Sequence, residues 1–220
     1  MKTDFQIRRD VEAELSWDPR ITNSEIGIAV KDGVVTMSGF VASYAQRIAA
    51  EQAAERVSGV RALAEELSVR LSGSSDLSDT DIAHRAVNAL TWDVEVPDSN
   101  VKVRVDKGWI ILEGEVDWQF ERHATERAVR YLRGVKGVTN LILIASHVSS
   151  HVSTYDVSKR IKDAFSRSAN TDAAMIEVEA NGGRVTLRGS VHSRTERADA
   201  ERAAWGAFGV TNVDDYLTVC

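Results

Sequence analysis

Apolar side chains recur at Ile7, Val11 and Leu15 in an otherwise polar stretch, the four-residue step of a helix with one buried stripe. The pattern then changes. Ile26, Ile28 and Val30 alternate with other residues, Asp32-Gly33 interrupts, and Val35, Met37 and Val41 resume the alternation. Two strands joined by a tight hairpin turn are predicted. A second helix is expected to begin at Ser43 and to end at Gly59-Val60, with the glycine as its C′ residue. Leu63, Leu67 and Val69 then mark a third strand.

The same succession returns twice. DGVVTMSGFV from Asp32, KGWIILEGEV from Lys107 and GGRVTLRGSV from Gly182 align without a gap, and their glycines fall at Gly39, Gly114 and Gly189, a step of 75 residues. Gly59, Gly134 and Gly209, each followed by valine, keep that step. First-helix stripes recur at Ile82, Ala86 and Leu90 and at Val157, Ile161 and Phe165. Thr3, Ser78 and Ser153, each with Gln or Asp three residues on, form capping boxes before them. Ser43 with Gln46 and Ser193 with Glu196 do so before the second helix, where Asp117 is the candidate cap in the middle copy. The fold class is therefore α+β: three tandem αββαβ units, each a three-stranded sheet with two helices packed on one face. The units span residues 1–71, 77–146 and 152–220. The strand-two glycines sit on the inward phase, where a helix crossing the sheet is expected to need the space. RLSGSSDLSD and ASHVSSHVST read as Ser-rich linkers.

Composition narrows the function classes. The 220 residues carry a net charge of −6, spread evenly over the copies, which argues against a nucleic-acid partner. The single cysteine, Cys220, excludes an intramolecular disulfide and a cysteine zinc site. No stretch has the roughly 18 apolar residues of a membrane span or the apolar segment of a signal peptide. A soluble, cytoplasmic chain is the expectation, or a periplasmic one if a leader has been removed. His84, His123, His147, His151 and His192 occupy no equivalent repeat positions, and no nucleophile–base pair or phosphate loop stands out. No catalytic residue, metal site or cofactor is expected. His147 and His151, four apart, read as linker residues rather than ligands.

Two surfaces in the middle copy are candidates for binding. Trp109, Ile111, Leu141 and Leu143 share the outer phase of its strands, with Lys102 and Arg104 on the same side. This face is expected to pack against a neighbouring repeat or a second chain, with a lipid or partner surface as the alternative. The outer face of the third copy, with Arg184, Thr186 and Arg188, reads as solvated. Arg127, Arg130 and Arg133 share a face of a helix expected over residues 119–133 and, with Lys102 and Arg104, are the candidates for an anionic ligand, although an ordinary charged helix exterior explains the three arginines as well. Trp118 either inserts at an interface or acts as a hydrophobic staple. Trp17 and Trp92, at equivalent ends of helix one, are expected to pack in the core.

The strand-two glycines, the Gln46-Arg47 to Glu51, Glu121-Arg122 to Glu126 and Glu196-Arg197 to Glu201 patterns of helix two, and the Gly-Val pair after it resemble the BON domain family of bacterial OsmY and nodulation proteins. The resemblance covers nearly the whole chain, three times. It implies a non-enzymatic binding module with an osmotic or envelope stress-protective role, and anionic phospholipid or an envelope protein as partner. The alternative is a protein–protein scaffold using the sheet face of the middle repeat. A small polar ligand between repeats is a third reading. The oligomeric state is open.

Overall fold

The computed structural model describes residues 2–22, 25–70, 77–145, 154–168 and 173–219. Ser153, His147, His151, Cys220 and most of both Ser-rich connectors lie outside the described residues. The first repeat runs α1 (Asp4–Trp17), β1 (Glu25–Lys31), β2 (Val34–Val41), α2 (Tyr44–Arg56) and β3 (Ala62–Val69). The second runs α3 (Asp79–Trp92), β4 (Val101–Asp106), β5 (Trp109–Val116), α4 (Gln119–Arg130) and β6 (Gly137–Ile144). The third runs α5 (Thr154–Arg167), β7 (Ile176–Asn181), β8 (Arg184–Val191), α6 (Arg194–Trp205) and β9 (Asn212–Val219). Each repeat is thus an αββαβ unit with its own three-stranded sheet, the middle strand in sequence being central. Strand two pairs antiparallel with strand one, and in the first and third repeats it pairs parallel with strand three.

The described residues group into two compact units, Met1–Gly114 with Ala124–Leu141, and Glu115–His123 with Ile142–Cys220. In repeat 1, Ile7, Val11 and Leu15 of α1 meet Val35, Met37 and Val41 of β2, Leu67 of β3, and the alanines Ala50, Ala53 and Ala54 of α2. Both helices therefore cover the same sheet face. Repeat 3 builds the equivalent core from Val157, Ile161, Phe165, Val185, Leu187, Val191, Ala200, Ala204 and Leu217. Ile82, Ala86, Leu90, Ile110, Leu112, Val116, Val129 and Ile142 are buried at the corresponding positions of repeat 2.

The hairpin turn ties each unit together. Asp32 and Lys107 have φ of 52°, and Gly33 and Gly108 have 76° and 82°, the left-handed pair that a primed turn requires. Asp4, the first residue of α1, accepts from the Asp32 and Gly33 amides at 2.9 and 3.0 Å. Asp79 does the same for Lys107 and Gly108 at 2.7 and 2.8 Å. On the other side the turn carbonyls of Gly33, Gly108 and Gly183 accept from Arg61, Lys136 and Thr211, just before strand three. Thr3 and Ser78 cap their helices with the expected boxes. Ser43 and Ser193 cap α2 and α6, but Gln46 and Glu196 reach one residue further back, to the amides of Ala42 and His192. In the middle repeat Glu121 accepts from both the Asp117 and the Trp118 amides.

Three expectations are corrected. No helix crosses at the strand-two glycines. Gly39, Gly114 and Gly189 have φ of 121°, 142° and 128°, and a methyl group there overlaps the strand-one side carbonyls of Glu25, Asn100 and Met175. The space is taken by backbone, as at a bulge. Second, α2 and α4 stop at Arg56 and Arg130, and Gly59 and Gly134 lie in a separate turn beyond them rather than at C′. Third, Trp17 and Trp92 are 83% and 86% exposed, not core residues. Each lies two residues past the last buried stripe residue, Leu15 or Leu90, about 200° around the helix.

Helix α2 has no exposed residue from Tyr44 to Glu55. One side holds the alanines of the repeat 1 core. On the other, the Tyr44 phenol oxygen accepts from the backbone of Val138 in β6, and its hydroxyl is pushed upward in pKa by burial first and then by Glu126. Repeats 1 and 2 thus meet through α2 rather than through the middle sheet's outer face. Glu51, caught in this layer, has its pKa raised by burial first and then by Glu65, Glu55 and Glu126, with Arg47 opposing. A carboxyl whose folded pKa is raised destabilises the fold once ionised, and that cost disappears as the pH falls below the unfolded value.

Two outcomes follow. Gly39→Ala is expected to lower unfolding free energy by about 2–4 kcal/mol, since both the positive φ and the carbonyl contact oppose a side chain. Ser38→Ala, one residue away on the exposed phase, should stay within about 0.5 kcal/mol in the same denaturant titration. Glu51→Gln is expected to raise the melting temperature at pH 7. The gain should shrink as the pH drops through the ordinary carboxylate range, and a gain that persists below it would show that charge is not the cause.

Candidate binding surfaces

The outer face of the middle sheet is assembled as its alternation demands. Trp109 and Ile111 of β5 lie beside Arg104 and Asp106 of β4, register partners of Ile111 and Trp109 respectively. The Trp109 indole lies over Gly137, where a methyl group has no room, and its Nε1 donates to Thr139 Oγ1 at 2.8 Å. Trp109 is therefore held flat on its own sheet and remains 39% exposed. Leu141 and Leu143 are exposed beyond it. Arg104 faces Glu113 at 3.7 Å, and Lys102 is exposed opposite the same glutamate. In repeat 3 the same face is polar: Arg184 pairs with Asp214 at 3.0 Å and Arg188 with Glu179 at 2.8 Å.

The arginines of α4 are on the helical side of the repeat. Arg127 is bound to Glu95 at 2.5 Å. Arg130 lies over the Tyr131 ring at 4.8 Å, with its Nε buried and making no hydrogen bond. Arg133 is exposed but lies past the end of the helix, so the three do not form the single helical row that their spacing suggested. Nor do they join Lys102 and Arg104, which project from the opposite sheet face. Trp118 is separate again: it precedes α4, is half-buried, and its ring centroid lies 5.8 Å from Phe208. It meets the third repeat, not a surface shared with Trp109.

Trp17 and Trp92 form a surface feature that the periodicity contained and the expectation of core packing passed over. Each is followed by an aspartate whose carboxylate accepts from the amide two residues on: Asp18 from Arg20 at 3.0 Å and Asp93 from Glu95 at 3.0 Å. Such a turn ends the helix firmly and leaves the indole projecting from a fixed point. Asp18 is also gripped by the Arg20 guanidinium at 2.6 Å, and that hydrogen bond holds its carboxyl well below the usual range. Val94, in the second of these turns, is wholly exposed. Repeat 3 carries Arg167 at the equivalent position.

Among the described residues no three His, Cys, Asp or Glu side chains gather as a metal would need. His123 contacts Gln119 and His192 contacts Glu196, each within its own helix start. No helix among the described residues is long and apolar enough to cross a membrane.

Comparison with known proteins agrees with this architecture. The chain is 33% identical over 141 residues, 62% of its length and 70% of the relative's, to osmotically-inducible protein Y of Escherichia coli (strain K12). Among solved structures, the C-terminal domain of CdsD, a structural protein of the type III secretion system of Chlamydia trachomatis, aligns over all of both chains at 12% identity, with a TM-score of 0.26. The BON domain matches residues 3–70, 78–146 and 154–220, and the chain belongs to the BON domain family.

Proposed function

We propose that this chain is a non-enzymatic, osmotic-stress-related binding protein that acts at phospholipid membrane surfaces. The stress role follows that of its relative, osmotically-inducible protein Y, as that protein's name gives it. The membrane reading rests on one observation: two indoles, Trp17 and Trp92, at equivalent places in two repeats, each largely exposed on a rigid helix end. Tryptophan has an apolar body and a polar N–H, and it is enriched where one side of the ring is apolar and the other wet. The non-enzymatic reading is supported by the titrating groups. Asp10, Asp18 and Asp81 are lowered by hydrogen-bonded neighbours, and Tyr44 and Glu51 are raised by burial in a packed layer. Each shift has a structural cause.

Anionic headgroups remain the proposed ligand class, with the indoles doing most of the holding. Arg127 and Arg104 already face carboxylates, and the net charge of −6 opposes long-range attraction to an anionic surface. Half-burying one indole is worth about 2 kcal/mol on an area basis, roughly 30-fold in partition. The second reading, a protein scaffold, is favoured by the uncovered Leu141 and Leu143 beside Trp109.

Co-sedimentation with vesicles of zwitterionic lipid, with and without anionic lipid, over a salt series separates these. Trp17→Ser/Trp92→Ser is expected to lose at least tenfold in vesicle binding, with the loss persisting at high salt. Arg127→Glu/Arg130→Glu is expected to reduce only the part that anionic lipid adds. Wild type that fails to sediment with either vesicle at low salt would remove the membrane reading and leave the sheet face of the middle repeat as the site to pursue.

A further inference from the structure

The groove between the two helices of a repeat is filled differently in each copy. In repeat 1, Arg56 at the end of α2 reaches across to Glu14 of α1, Nε to Oε1 at 2.9 Å. In repeat 3 the two equivalent positions are Gly206 and Ala164. With both long side chains gone, an open cleft of about 510 Å³ lies between α5 and α6, lined by Ala164 and Gly206 among others. That volume is within the range of small-molecule sites.

Four further substitutions converge on the same place. Trp118 stands where repeats 1 and 3 have the capping serines Ser43 and Ser193. Phe208 stands where the others have Ser58 and Arg133. These two aromatics, both departures from the repeat, meet at 5.8 Å on the wall of the cleft. Arg167 replaces the tryptophan of the other copies, and Arg160 replaces the Asp10 of repeat 1. Both arginines line the cleft, with Asp163 as its one acid. The walls are thus aromatic and small-apolar, and the rim carries two guanidiniums against one carboxylate.

We infer that this cleft binds a small amphiphilic anion in solution: an apolar chain or ring against Trp118, Phe208 and Ala164, with a phosphate, sulfonate or carboxylate head held by Arg160 and Arg167. Guanidinium groups suit such heads because they donate two parallel hydrogen bonds. The site is independent of Trp17 and Trp92 and does not rest on the membrane reading.

The test is calorimetric titration of the full chain with octyl phosphate below its micelle concentration, beside octyl glucoside and inorganic phosphate. Octyl phosphate is expected to bind at least tenfold more tightly than either control. Gly206→Tyr fills the cleft with the residue that repeat 2 carries there. Gly206 has φ −74°, and an added Cβ meets nothing closer than Ala203 O at 3.5 Å, so the backbone accepts the change. It should weaken octyl phosphate at least tenfold. Trp118→Ser, restoring the residue of the other repeats, is the second variant if the first does not fold. Arg160→Gln/Arg167→Gln should reduce the affinity to that of octyl glucoside. Equal binding by Gly206→Tyr, Trp118→Ser and wild type, or no preference for octyl phosphate over both controls, overturns the proposal. Sedimentation of Gly206→Tyr with anionic vesicles should match wild type. A parallel loss there would make the ligand a headgroup within a membrane and overturn the soluble ligand.

Discussion

One aspartate and one two-residue turn hold the first repeat's layers in register. The turn between β1 and β2 has two amides pointing outward and no sheet partner for them. Asp4 supplies both acceptors from the first turn of α1, fixing where that helix starts relative to the hairpin. The Gly33 carbonyl, on the far side of the same turn, takes the Arg61 amide and fixes where β3 begins. Helix α1 and strands β1, β2 and β3 are thus referred to one point. Asp79 and Gly108 repeat the arrangement in the middle copy. An unsatisfied amide in a partly buried turn is costly, so the constraint acts on local geometry whatever the surfaces carry.

That leaves the surfaces free to diverge. Arg47 pairs with Glu65 in repeat 1 and Arg197 with Asp215 in repeat 3, bracing helix two on strand three. In repeat 2 the acid has become Asn140, which donates to Glu126. The change coincides with the layer where α2 of repeat 1 packs close to Glu126 and Val138. A further carboxylate there would add to the repulsion that Glu51 already feels from Glu65, Glu55 and Glu126. Exchange of Glu or Asp for Asn lowers the charge where two repeats meet and keeps a hydrogen-bonding group.

Much of the fold was legible because two periods, four residues for helices and two for strands, alternate cleanly and then recur at 75 residues. The inward glycines were legible as close approaches, but not their partner. A helix and a strand-one carbonyl make the same demand on a missing Cβ, and only the register places Glu25 and Asn100 there. The Asp4 and Asp79 bridges were hidden because an acid at the first helical position is already explained by the helix dipole. The double burial of α2 was hidden because its buried residues are mostly alanines, which draw no apolar stripe. For the binding surfaces the sequence misled in one direction. A repeated tryptophan suggests packing, yet the spacing from Leu15 to Trp17 had already placed it on the outer side.

The exposed indoles and the net charge belong to one argument about how such a chain meets its target. A protein attracted through a basic patch finds any anionic surface, and its hold fades with salt. Here most of the candidate cations have acidic neighbours in their own repeat, and the two most exposed indoles, Trp17 and Trp92, are displayed on separate helix ends. Dispersed rings do not form the broad apolar patch that drives self-association. Each gains only when it reaches a medium that accepts an indole. On the proposed membrane reading, contact is governed more by area than by charge, so most of it would be kept when ionic strength rises.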